Sequence, residues 1–222
     1  MKTGYVELAR AQQERWQTAY EQNPSLHGPE PSTAARWTAE LFGAAGIDDV
    51  LELGAGQGRD ALYLARQGFS VHATDFSEAA LHQLRLDAQR DGLDDRVTAA
   101  LHDVRDPLPP ADATVGAVYA NVLLNMAFSR AELRSLVNEI RRVLRPGGLF
   151  VYTVWSTEDR GYGKCSAIGD GLYAKDGFAG RFFDLDLVHE LADRWELRGA
   201  DAYTEDPHTM WRVTQAKPHP VS

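Results

Sequence analysis

The chain has 222 residues, is 44% hydrophobic and 25% charged, and carries a formal net charge of −9. That size suits one α/β domain with a full core. The acidic balance argues against nucleic acid as a partner and for neutral or cationic small molecules. No apolar run approaches the roughly 20 residues of a membrane span. A lone Cys165 rules out an internal disulfide, so a cytoplasmic location is expected.

Residues 5–22 place Val6, Leu8, Ala9, Trp16 and Tyr20 in a helical pattern that Asn23-Pro24-Ser25 ends. Trp16 and Tyr20 serve either a helix packed on the domain or a lid over a ligand. Ser32 or Thr33 caps a helix to about residue 45, with Trp37 and Leu41 one turn apart. An apolar strand then runs from Val50 to Leu53 into Gly54, Gly56 and Gly58, and a helical pattern follows at once. Phe69–Thr74 reads as a second strand delivering Asp75, and Ser77 caps the next helix. A third strand, Val97–Leu101, ends in His102-Asp103. A fourth, Val115–Tyr119, ends near Asn121. Ser129-Arg130-Ala131-Glu132 is a capping box opening a helix striped by Leu133, Leu136, Val137, Ile140 and Val143. The turn Arg145-Pro146-Gly147-Gly148 leads to a fifth strand, Leu149–Val154, and Trp155. Residues 156–178 show no period and read as a long functional loop. Asp184 caps a helix containing Leu187, Val188 and Leu191. Two strands close the chain near Trp195–Tyr203 and Met210–Ala216, the last one antiparallel.

Strand and helix alternate, which predicts a doubly wound, mostly parallel sheet in one domain. In such sheets ligands bind beyond the C-terminal strand ends. Gly54, Asp75, Asp103, Asn121 and Trp155 all fall at those ends. The turn reads G-x-G-x-G, with Arg59 where a dinucleotide fingerprint has its third glycine. Glu52, two residues before Gly54, suits an ammonium group better than a diphosphate. Asp75 lies at the spacing of a ribose-binding carboxylate, although helix capping is its simpler role. Asp103 either accepts from an adenine amino group or is a loop carboxylate. Ribose, adenine and a zwitterionic tail together describe S-adenosylmethionine.

Residues 49–155 resemble the class I S-adenosylmethionine-dependent methyltransferases. The resemblance rests on Leu51-Glu52-Leu53-Gly54-Ala55-Gly56-Gln57-Gly58, His72-Ala73-Thr74-Asp75-Phe76-Ser77, Leu101-His102-Asp103-Val104 and Arg145-Pro146-Gly147-Gly148. The run from Gly56 to Ala65 looks most like the small-molecule branch with tellurite-resistance and thiopurine-type enzymes. It implies a Rossmann-like three-layer αβα fold with a seven-stranded sheet of order 3-2-1-4-5-7-6. It further implies that the Gly54 and Gly56 backbone meets the methionine moiety, with Arg59 near its carboxylate. Asp75 takes the ribose, Phe76 the adenine face, and Asp103 with the Val104 N–H the adenine edge.

On this reading residues 1–31 form an N-terminal arm or lid, 32–155 the cofactor-binding core, and 156–222 the acceptor side. Glu52 and Asn121 join the cofactor set. Tyr20, Leu124, Asn125, Trp155 and Phe182 are expected to wall the acceptor pocket. The expected reaction is in-line methyl transfer to a small molecule, leaving S-adenosylhomocysteine, in a monomer or homodimer with no metal, membrane or nucleic acid. No general base is assigned, and His102, His189 and His208 each carry weak claims. The rival readings are intramolecular cyclisation of the cofactor's amino-acid arm and a non-catalytic cofactor-binding module, with a dehydrogenase last.

Overall fold

The computed structural model describes residues 2–175 and 178–220. β1 (Asp49–Leu53) lies at the centre of a seven-stranded sheet. It pairs in parallel with β2 (Ser70–Asp75) on one side and β4 (Val115–Asn121) on the other. β3 (Val97–Leu101) continues beyond β2, and β5 (Leu144–Trp155) beyond β4, both in parallel. β10 (His208–Ala216) then runs antiparallel to β5, and β9 (Glu196–Glu205) antiparallel to β10. The order β3-β2-β1-β4-β5-β10-β9 is the expected one, once three short strands outside this sheet are set aside.

Helices cover both faces. On one side lie α2 (Thr33–Ala44), α3 (Arg59–Arg66) and α4 (Glu78–Arg90), burying Phe42, Leu64, Leu81 and Leu84 against Val50, Val71 and Val151. On the other lie α5 (Arg130–Val143) and α6 (Leu185–Leu191). Leu133, Leu136, Val137, Ile140 and Val143 of α5 pack there against Leu51, Val118 and Phe150. Each such side chain contributes about 1.5–3 kcal/mol. The start of α5 is set locally. Ser129 Oγ accepts from the Glu132 N–H, and the Glu132 carboxylate accepts from the Ser129 N–H.

The structure departs from the sequence reading of residues 156–178 as a loop. Instead of a loop throughout, this segment holds a three-stranded antiparallel sheet: β6 (Ser166–Gly169), β7 (Leu172–Lys175) and β8 (Phe178–Arg181). Four-residue strands are too short to show an alternating pattern. Arg181 anchors this sheet. Its guanidinium, 1% exposed, donates to the Phe128 carbonyl at 2.9 Å and lies 3.5 Å from Asp170.

α1 (Lys2–Gln22) lies outside the two helical layers and across the C-terminal edge of the sheet. It packs on α4 and β8. Gln12 fastens it by donating to the Ala179 carbonyl at 2.5 Å and accepting from the Ala127 N–H at 2.8 Å.

Candidate functional site

The apolar residues of β1 drive the chain through the core and deliver it to solvent at Gly54. Gly54, Gly56 and Gly58 all have positive φ, at 70°, 56° and 82°, a region costly for residues with a Cβ. Space is equally restrictive. A Cβ on Gly56 would sit 2.8 Å from the Tyr20 hydroxyl, and one on Gly58 would collide with Leu84. The turn therefore brings bare backbone to the floor of a cleft.

Asp75, at the end of β2, braces that turn. Its two carboxylate oxygens accept from the Gly56 N–H at 2.8 Å and the Ser77 N–H at 2.9 Å. Burial pushes its pKa up to about 6, against the pull of those backbone donors. Ser77 caps α4 through the Ala80 N–H, so capping falls to Ser77 while Asp75 holds the glycine turn. Glu52 lies beneath, 2% exposed. Burial, with Asp60 and Asp75 nearby, raises its pKa well above the carboxylate range. Its Oε2 has no hydrogen-bond partner among the described residues, an arrangement that costs free energy until a donor or cation arrives.

Asp60, in the first turn of α3, lines the cleft and was not among the site residues expected from the sequence. This buried carboxylate accepts from the Ser32 N–H (2.7 Å), Ser32 Oγ (2.8 Å), the Tyr119 hydroxyl (3.1 Å) and Asn121 Nδ2 (3.1 Å). Arg59 lies 3.8 Å away. Those partners come from α2's cap, β4 and the end of β4, so nothing in the local sequence marks Asp60 as a hub.

These groups open into one cavity of about 730 Å³. Glu52, Gly54, Gly56, Arg59, Asp75, Phe76 and Asn121 line it, with Tyr20 and Trp155 on its walls. A second compartment of about 30 Å³ adjoins it, sharing Gly54, Asp75 and Phe76 and adding Asp103 and Val104. α1 closes both. Its Trp16 faces both spaces, Gln13 donates to Asp103 Oδ2 at 2.5 Å, and Gln17 accepts from Ser77 Oγ at 2.6 Å. Trp16 and Tyr20 thus line the cavity from a helix that is itself packed on α4 and β8, a placement compatible with both readings of them. Burial first, and then Asp75, raises the Tyr20 pKa, so its phenol stays protonated.

Three expected pocket residues lie elsewhere. Val122 has φ 57°, and this left-handed turn reorients the chain after β4. Leu123 consequently faces the cavity, whereas Leu124 is fully buried in the core under α5. Asn125 is also fully buried and acts as a brace: its Nδ2 donates to the Arg181 carbonyl at 2.6 Å and its Oδ1 accepts from the Trp155 N–H at 3.2 Å. Phe182 packs with Trp155, Tyr162 and Tyr173 in an aromatic cluster outside the cavity lining, and Phe183 enters the core. The wall is made instead by Trp16, His27, Leu123, Met126, His208 and Met210. Burial, helped by Arg59, lowers the pKa of His27.

A doubly wound sheet with an antiparallel final strand, cleft at the point where strand order reverses, is the class I methyltransferase fold. Residues 50–148 match the family described as a methyltransferase domain. An uncharacterized methyltransferase of Mycobacterium tuberculosis is 32% identical over 159 residues, 72% of this chain and 57% of the relative. The chain spans about half the length of the curated relatives it matches. Among solved structures, the [4+2]-cyclase SpnF superposes with a TM-score of 0.73 at 18% identity, covering 95% of this chain and 97% of the other. The 1,6-didemethyltoxoflavin-N1-methyltransferase of Burkholderia thailandensis, solved with 1,6-didemethyltoxoflavin and S-adenosylhomocysteine, gives 0.66 at 24% identity, covering 84% and 79%. Among the described residues no helix is long and apolar enough to cross a membrane, and no group of three or more His, Cys, Asp or Glu is arranged to hold a metal.

Proposed function

We propose that the protein transfers the methyl group of S-adenosylmethionine to a small-molecule acceptor. One observation carries this reading: a single cleft gathers the bare glycine turn, the unpartnered Glu52 oxygen, Asp75 and the neighbouring Asp103. The donor set fits the cofactor. Glu52 offers an ammonium group the partner it lacks, and Gly54 and Gly56 leave room for the methionine arm, with Arg59 set for its carboxylate. Asp75 can accept from ribose hydroxyls on lone pairs that Gly56 and Ser77 leave unused. Phe76 and Val104 flank the adenine compartment. Asp103 now accepts from Gln13, so an adenine amino group entering there exchanges one donor for another as α1 shifts.

When bound, the cofactor supplies an electrophilic methyl group, and what the protein must add is position. The acceptor atom has to be held in line at about 3–3.5 Å with water excluded. α1 shields the cleft, and Tyr20 and Trp155 bound the space left for an acceptor. Incubation with methyl-labelled S-adenosylmethionine and a small-molecule acceptor panel tests the proposal. Label in an acceptor with stoichiometric S-adenosylhomocysteine is the expected result. Methylthioadenosine formed without any acceptor would overturn it.

A further inference from the structure

An imidazole–carboxylate pair stands at the cavity wall. Asp159 lies in the segment after β5, its carboxyl group 1% exposed. Its Oδ1 accepts from the Gly161 N–H at 2.6 Å. Its Oδ2 accepts from the Thr209 N–H at 2.8 Å and lies 3.2 Å from Nδ1 of His208. Two fixed backbone donors thus hold the carboxylate, and the carboxylate selects the His208 tautomer with a proton on Nδ1. Nε2 is the remaining nitrogen, with a lone pair, on a ring that lines the cavity. The ring's plane is fixed as well, stacked on Trp155 with centroids 5.4 Å apart and 27° between planes.

The wall leading to this pair is aromatic. Tyr20, beside Gly56, stacks on Trp16 at 5.6 Å. Trp16 and Trp155, which both line the cavity, are bridged by Phe178, a ring outside the lining, edge-on at 6.1 Å and at 6.3 Å respectively. A continuous row of rings therefore connects the glycine turn to His208. Such a wall favours a flat, unsaturated molecule lying against it.

We propose that His208 is the general base of the reaction, that Asp159 is its positioning residue, and that the acceptor is an aromatic or heteroaromatic molecule with a proton-bearing oxygen or nitrogen. This rests on the methyl-transfer reading above. The atoms balance as follows. The acceptor heteroatom bonds to the methyl carbon while the carbon–sulfur bond breaks, and that electron pair stays on sulfur. The proton leaving the heteroatom passes to Nε2 of His208, giving an imidazolium beside the Asp159 carboxylate. The positive charge of the sulfonium is thereby exchanged for that of the imidazolium, and Asp159 stabilises it. Glu205 and Asp206, on the strand end and turn before His208, are further carboxylates of the cavity lining, and Arg59, Arg66 and Arg90 are its cations.

Two readouts test the proposal. The first needs no turnover: ¹⁵N NMR of the histidine rings in the wild-type protein with S-adenosylhomocysteine is expected to show His208 protonated on Nδ1, and Asp159→Asn to lose that preference. The second compares transfer to 2-naphthol, which has a proton to lose, with transfer to quinoline, which has none. Wild type is expected to methylate 2-naphthol, with kcat/KM falling tenfold per pH unit on the acid side. His208→Ala and His208→Gln are expected to lower kcat by at least about 100-fold and flatten that limb. S-adenosylhomocysteine affinity is expected to stay unchanged. Transfer to quinoline alone, or naphthol methylation that survives in both His208 variants, overturns the proposal. Cofactor product bound with neither compound methylated also overturns it and leaves the cofactor assignment standing. Failure to bind S-adenosylhomocysteine refutes the methyl-transfer reading itself.

Discussion

Asp75 ties the proposed cofactor site to pH with a sign that can be worked out. Its carboxyl is pushed from 3.8 to about 6 by burial. The folded protein therefore binds the proton more tightly than the unfolded chain. This group's contribution to stability is complete below pH 3.8 and is lost as pH rises through 6, a change of about 3 kcal/mol. Ligand binding has the opposite sign. If ribose hydroxyls donate to Asp75, only the ionised form serves, so affinity falls as pH drops below 6. At pH 5 the free protein is mostly protonated at Asp75, and the loss relative to pH 7.5 is about tenfold, or 1.4 kcal/mol. Titration calorimetry with S-adenosylhomocysteine between pH 5 and 8 measures this directly. Asp75→Asn is expected to bind more weakly throughout, by about 1.5–3 kcal/mol, and without the slope. Wild-type affinity that is flat across the range would refute the reasoning. A slope that persists in Asp75→Asn would assign it to another group, with His27 on the cavity wall, whose pKa burial and Arg59 lower, the first to test.

Gly56→Ala is expected to weaken S-adenosylhomocysteine at least about tenfold, because the new methyl meets Tyr20 and the turn's φ of 56° costs about 1–2 kcal/mol. Adding Tyr20→Phe is expected to restore part of the melting temperature, and no recovery would place the strain elsewhere. Ser129→Ala removes the side-chain half of the capping box, leaving the backbone N–H that donates to Glu132, and is expected to cost about 1 kcal/mol in urea unfolding, with activity unchanged. Arg181→Met removes a buried guanidinium from the Phe128 carbonyl and Asp170 and is expected to destabilise by about 3 kcal/mol. A melting curve identical to wild type would show that the small sheet does not depend on it.

The parts of this protein that were legible in its sequence are those decided within a few residues. The glycine turn, the Ser77 and Ser129 caps and the apolar stripe of α5 each carry their whole cause locally. The doubly wound, mostly parallel sheet followed from the alternation of elements, and its strand order from the motif resemblance. What could not be read is long-range. Asp60 gathers donors from residues 32, 119 and 121, and Asp159 meets His208 across 49 positions. Leu124 and Asn125 were misplaced for a different reason. A single left-handed residue, Val122, shifts the facing of the chain by one position, and valine is not a residue that advertises such a conformation. Phe182 and Phe183 offered an ambiguity that only packing resolves.

The way α1 is fastened bears on timing. Gln12 reaches the β8 backbone and Ala127, Gln13 reaches the end of β3, and Gln17 reaches the cap of α4. No single one of these is strong, yet a rigid helix releases them together or not at all. On the proposed function, traffic through the cleft would be metered by one cooperative undocking event rather than by side-chain fluctuations. A ligand seated on the glycine floor would then enter before the helix docks and depart after it lifts.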